Sequence, residues 1–99
     1  MKNLFCIIVT YTRPLDTIES LLSLHREYLK QGYKKNILLV SGPQNPRTGG
    51  VIIGRFNDKQ EALAFTRADP FFKNDAATYE ILEFTPVLYT DLLKNFLQD

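Results

Sequence analysis

The order of strand, helix and turn signals in this chain predicts an α+β protein with a ferredoxin-like, split β-α-β architecture, in which a four-stranded antiparallel sheet carries two helices on one face. Three observations lead there. Short β-branched and aromatic runs recur four times, apolar residues fall at helical spacing twice, and the order is strand, helix, strand, strand, helix, strand. The 99 residues suit one domain spanning 1–99, enough for a single core and little more.

Leu4 to Tyr11 is the first strand, followed by polar residues and Pro14. Asp16 with Glu19 three residues on reads as a capping box, and Ile18, Leu21, Leu22, His25 and Leu29 share one face. The spacing predicts a helix from about Asp16 to Gln31, with Gly32 placed to end it. Ile37-Leu38-Leu39-Val40 is a second strand closed by the turn Ser41-Gly42-Pro43. Proline and glycine make 44–50 a loop, and Val51 to Phe56 returns as an antiparallel neighbour. Asp58 with Glu61 repeats the capping box and opens a second helix to about Ala68, where Asp69-Pro70 marks the end. Thr78 to Phe84 is the last core strand, and the first and third strands should be central.

Strands covered on one face alternate apolar and polar residues, whereas Phe5 to Val9, Ile37 to Val40 and Val51 to Ile53 are apolar without interruption. Two helices hide one side of such a sheet. The other side is expected to pack on a second copy, giving a homodimer, with residues 86–99 as a terminal interface segment whose Leu92, Leu93, Phe96 and Leu97 suit a small helix. Folding of that segment back over its own sheet is the alternative, but a dozen residues are too few to cover the face.

Twelve basic against eleven acidic side chains give a net charge of +1, which supplies no field to gather a polyanion. Phe5, Tyr11 and Phe56 could stack bases on an open sheet, yet Arg55 is the one basic residue inside a strand, so core packing is the better use and no nucleic-acid partner is expected. Cys6 is the single cysteine, which excludes an intrachain disulfide and suits a reducing cytoplasm. The N-terminal apolar run is short, lacks a small-residue cleavage site and reads as a strand rather than a leader. Nothing approaches the ~20 apolar residues of a membrane span. The sole histidine has no neighbouring His or Cys, so a metal site is not expected.

That histidine, His25, sits where the amphipathic helix would otherwise present a leucine. A ring partly withdrawn from water needs a polar partner, and with an ordinary pKa of about 6.5 it can exchange a proton near neutrality. A carboxylate on one nitrogen would fix the tautomer and make the other a stronger base. Asp69, pinned by Pro70, is the candidate partner; its carboxylate could instead accept backbone bonds from Phe71 or Phe72. Ser41, Gly42 and Pro43 form either a plain turn or the rim of a pocket, and Tyr11 could add an aromatic wall and a hydroxyl. Ser41 has no nucleophile-elbow sequence and Cys6 lies inside a strand, so metal-independent proton transfer fits the inventory better than a nucleophilic triad.

The N-terminal strand, His25 followed by an arginine and later Leu29, the Ser41-Gly42-Pro43 turn, the strand opening Gly50-Val51-Ile52 and Asp69-Pro70-Phe71 together resemble the YciI-like family of ferredoxin-like proteins related to the dimeric α+β barrel group. The resemblance implies a dimer with a pocket beside a histidine and aspartate pair, here His25 and Asp69, and with Ser41-Gly42-Pro43 close by. Some relatives degrade chlorinated aromatic compounds, including by dehydrochlorination. This chain departs in its compact 44–49 loop and its longer tail after Pro86, both of which can reshape the pocket. The expected function is a cofactor-free lyase or isomerase of a small organic compound, with a non-catalytic ligand-binding or accessory dimer as the alternative.

Overall fold

The computed structural model describes residues 2–98. Strands β1 (Leu4–Tyr11), β2 (Leu38–Pro43), β3 (Gly49–Arg55) and β4 (Ala77–Phe84) form one sheet in the order β2-β3-β1-β4, every pairing antiparallel. The first and third strands are central, as the sequence indicated. Helices α1 (Leu15–Lys34) and α2 (Lys59–Arg67) are the two main helices, followed by the single turn α3 (Pro70–Lys73). A 3-10 turn at Asp91–Leu93 and a short helix α4 (Lys94–Gln98) close the chain.

Strand alternation decides where the core sits. Phe5, Ile7 and Val9 are buried with Ile18 and Leu29 of α1, Ala62 of α2 and Phe71 of α3. Phe5 meets Phe56 edge-to-face, with ring centroids 5.5 Å apart, so these aromatics are core and not a base-stacking platform. Burying each of the larger side chains among these, the valine, leucine, isoleucine and phenylalanine residues, is worth about 1.5–3 kcal/mol of transfer free energy.

Three local expectations need correction. Asp16 does not cap α1: Pro14 holds the cap position with no side-chain bond, and its carbonyl receives the amides of Thr17 and Ile18. Gly32 does not end α1 either. A Cβ there would lie 2.7 Å from Leu38 Cγ, so glycine is required for close approach of helix and strand. The helix ends at Lys34 with Lys35 as its cap, and Asn36 follows at φ 58°, a left-handed conformation that Asn tolerates better than most residues. Ile37 N then bonds Gly32 O and Asn36 N bonds Tyr33 O, satisfying two carbonyls of the last turn. By contrast Asp58 caps α2 as expected, its side chain accepting from Glu61 N at 2.9 Å.

The third correction concerns β2. Ser41, Gly42 and Pro43 belong to the strand, opposite Ile52, Val51 and Gly50. A register shift between Leu38 and Val40 inserts one residue, so that Leu38 and Ser41 both face the helices.

The far face of the sheet is apolar in its middle. Val40, Leu82 and Phe84 are 52%, 53% and 48% exposed. The C-terminal segment covers one end only, at Arg55, whose Nε and Nη1 donate to the carbonyls of Asn36 and Phe96 at 2.7 Å each. The Arg55 guanidinium also lies over the Phe96 ring, 4.8 Å from its centroid.

Candidate active site

The site is assembled where α1, α3 and the edge of the sheet meet. Asp69 is the N-cap of α3, extended at φ −68° and ψ 132°, with Pro70 at the first helical position. One oxygen, Oδ1, accepts from Phe71 N at 3.1 Å and lies 2.8 Å from Nδ1 of His25. Both sequence readings of Asp69 therefore hold at once: the bonds that cap the turn also aim the carboxylate at the imidazole. Its second oxygen accepts from the Tyr79 hydroxyl at 2.8 Å. Asp69 is 1% exposed and His25 12%.

This carboxylate can only accept at Oδ1, so the neutral imidazole carries its proton on Nδ1 and leaves Nε2 as the basic nitrogen. The ring is further fixed by stacking on Phe71, with centroids 4.1 Å apart and planes 12° from parallel. Tyr11 meets Phe71 edge-on at 5.9 Å. Around them opens a cleft of about 490 Å³, lined by His25, Tyr11, Ser41, Gly42 and Pro43 with Phe71 and the apolar side chains of Val9, Leu22 and Leu29. A cavity of this size with an apolar wall and few polar groups suits a small organic molecule.

All six residues singled out from the sequence thus border or support one cleft. Ser41 Oγ is 2.6 Å from the Tyr33 hydroxyl, a partner supplied by the last turn of α1. Sequence reasoning missed Tyr79, although a signal existed: in Thr78-Tyr79-Glu80-Ile81 the alternation puts Tyr79 on the helix side, opposite Val9. It also missed Arg47, which lines the cleft from the β2–β3 loop and pairs through Nη1 with Glu19 of α1. Loop residues carry no periodicity that would have revealed this reach.

Burial, then the charge of Asp69 and the bond to it, pushes the Tyr79 phenol far above its usual range, keeping it a donor. Tyr28 is pushed up to about 12, chiefly by burial and secondarily by Asp69; its hydroxyl donates to Phe65 O at 2.6 Å, tying α1 to α2. The Arg47 guanidinium is held more firmly protonated by its hydrogen bond to Glu19 first and to Tyr11 second. Among the described residues, no group of three or more His, Cys, Asp and Glu side chains is arranged to hold a metal ion. No helix among them is long and apolar enough to cross a membrane.

A ferredoxin-like sheet whose helical layer buries a His–Asp pair at a cleft defines a class of small α+β proteins. Within it the chain belongs to the YCII-related family, the YCII-related domain matching residues 4–85. Among solved structures it is similar to 5-chloro-2-hydroxyhydroquinone dehydrochlorinase (TftG) from Burkholderia phenoliruptrix AC1100, in complex with 2,5-dihydroxybenzoquinone. The TM-score is 0.72 at 23% identity, over 83% of this chain and 93% of that one. That likeness is one of fold. No curated protein matches the chain.

Proposed function

We propose that the protein is a cofactor-free lyase or isomerase acting on a small organic compound, with His25 exchanging the proton and Asp69 orienting and charging the imidazole. The observation that carries this reading is the 2.8 Å contact of His25 Nδ1 with a carboxylate that is 1% exposed, at the wall of a cleft. A base held in one tautomer, with its second nitrogen left for a ligand, is equipped for proton abstraction next to a carbonyl or a leaving group. Tyr11, Ser41, Gly42 and Pro43 would form the substrate rim. The fold shared with a dehydrochlorinase supports elimination chemistry on this scaffold.

The test uses solvent exchange, which requires no knowledge of the natural substrate. A panel of hydroxyquinols and enolisable cyclic ketones in D₂O is followed by proton NMR with the parent protein and with His25→Gln. Deuterium incorporation or elimination that depends on His25 supports the reading; equal rates with H25Q overturn it.

The working form in this proposal is a homodimer built on the far face of the sheet. Val40, Leu82 and Phe84 are exposed there, and Cys6, Ile8, Val51 and Ile53 are partly so; residues 86–99 would serve as a terminal interface segment. A second copy offers an equally flat apolar surface, which matches strands that are apolar on both sides. Sedimentation equilibrium should give a dimer that Leu82→Glu converts to monomer. The lone Cys6 thiol supports placing the protein in the cytoplasm. Residues 1–99 act in this reading as one domain.

A further inference from the structure

The cleft has a cationic rim that the proton-transfer reading does not use. Arg47 reaches from the β2–β3 loop to Glu19 on α1, and Arg26, next to His25 in sequence, lines the same cleft. Glu19 balances one of these two guanidinium charges. Among the described residues Arg26 has no ion-pair partner, so the rim keeps a net positive charge in front of an imidazole whose own carboxylate is sealed behind it.

Arg47 is also under-satisfied. Its side chain is 34% exposed, and Nη1 is occupied by Glu19, but Nε is withdrawn from water and has no hydrogen-bond partner. A guanidinium presents five donors in a fixed fork, and a buried donor left unmade is uncommon enough to need a reason. Nε itself has no accessible surface, so a ligand would reach it only if the side chain shifts away from Glu19. The exposed part of the fork already lines the cleft, however, and an anionic oxygen is the acceptor a guanidinium binds best. The hydrogen bonds that Arg47 makes to Glu19 first and to Tyr11 second hold its guanidinium still more firmly protonated. Facing this rim, the aromatic and aliphatic wall of Phe71, Val9, Leu22 and Leu29 suits the body of a ring.

We propose that Arg47 determines specificity in this cleft, and that the ligand is a small planar ring compound bearing an anionic oxygen, as a carboxylate or an enolate, which pairs with the Arg47 guanidinium. The proposal rests on the reading that the cleft beside His25 receives substrate, but it concerns binding and is testable without turnover. It also gives the compact 44–49 loop a task, since that loop carries Arg47 to the cleft.

The experiment is an NMR titration of the isotopically labelled full chain with benzoate and with benzamide, which share a ring and differ in charge. Benzoate should bind at least about tenfold more tightly, shifting the amides of Gly42, Gly50 and Phe71. Arg47→Met should remove that preference by weakening benzoate and leaving benzamide unchanged. Glu19→Gln, which frees the guanidinium from its internal anion, should tighten benzoate binding; this second variant decides the matter if R47M is poorly folded. A benzoate preference that persists in folded R47M overturns the proposal, as does benzoate binding that is unchanged or weakened in E19Q, or perturbation by neither probe in the cleft. The outcomes separate from those of the catalytic reading: benzoate selectivity with no His25-dependent exchange leaves an anion-binding site without acid/base chemistry, and exchange without selectivity leaves the reverse.

Discussion

Tyr79 and His25 hold opposite oxygens of the same carboxylate, the phenol on Oδ2 and the imidazole on Oδ1 of Asp69, each at 2.8 Å. With Phe71 N on Oδ1 as well, the carboxylate has three donors and almost no contact with water. An asparagine at 69 can keep its carbonyl oxygen toward Phe71 and His25 while turning its amide to the Tyr79 oxygen. The packing and the tautomer then survive, but the negative charge that stabilises an imidazolium does not. Asp69→Asn is therefore expected to lower turnover roughly 100-fold, within the range for general acid–base catalysis. Its stability should fall by only about 1–2 kcal/mol. Steady-state kinetics beside urea denaturation checks the contrast, and undiminished turnover in a folded D69N protein would remove the charge from the mechanism.

Replacing Tyr79 with phenylalanine tests the other oxygen. The ring keeps its place beside Phe72, whose centroid is 6.1 Å away, while Oδ2 is left buried without its donor. A stranded acceptor on an ionised group costs about 1–3 kcal/mol, so Y79F should lower the urea midpoint with an unchanged slope. Because His25 still meets Oδ1, turnover should drop far less in Y79F than in D69N. A variant as stable as the parent would mean that water or another donor fills the position.

The sequence carried much of this candidate site because His25 lies on a patterned helix face and Asp69 at a cap marked by proline. His25 was readable from its place on the face shared by Ile18, Leu22 and Leu29, and Asp69 from the proline that follows it. Asp58 and Glu61 likewise set the start of α2. What stayed hidden depends on contacts distant in sequence. Gly32 looked like a helix stop, but it is needed because Leu38 packs against it, and Asn36 supplies the stop instead. The bulge between Leu38 and Val40 turns Ser41 toward the helices, and no local pattern within four apolar residues announces such a slip. Arg47 reaches the cleft by meeting Glu19, 28 positions away.

Two glycines on the strands that border the cleft should respond oppositely to alanine. A Cβ at Gly49 would fall 1.7 Å from the carbonyl oxygen of Val9, a backbone atom of the central strand, so β1 and β3 would have to part. At Gly42 a Cβ has nothing within 4 Å. Gly49→Ala should thus cost several kcal/mol, above the ~1–3 kcal/mol of ordinary overpacking, and Gly42→Ala should be neutral or slightly stabilising, since alanine restricts the unfolded chain. Thermal denaturation of the pair decides it, and equal melting temperatures would contradict the close approach at Gly49.

The two buried phenols give the protein an alkaline limit. Tyr28 is pushed up to about 12, and Tyr79 still further, from the ordinary value near 10. Folded and unfolded states are both protonated at these positions below about pH 10, so their contribution to stability is fully present there. Above it the unfolded chain loses the protons first, and stability falls with rising pH until the folded Tyr28 ionises as well, near 12. Each phenol contributes at most one proton to the slope, so the two losses run nearly in parallel up to about pH 11.5, and that of Tyr79 continues above the pH at which Tyr28 ionises. Urea denaturation between pH 9 and about 11.5 should therefore show a decline that is shallower, by similar amounts, in Tyr28→Phe and in Y79F than in the parent, once each variant is referred to its own stability at pH 9. Parallel declines in all three proteins would show that these phenols ionise alike in the folded and unfolded states.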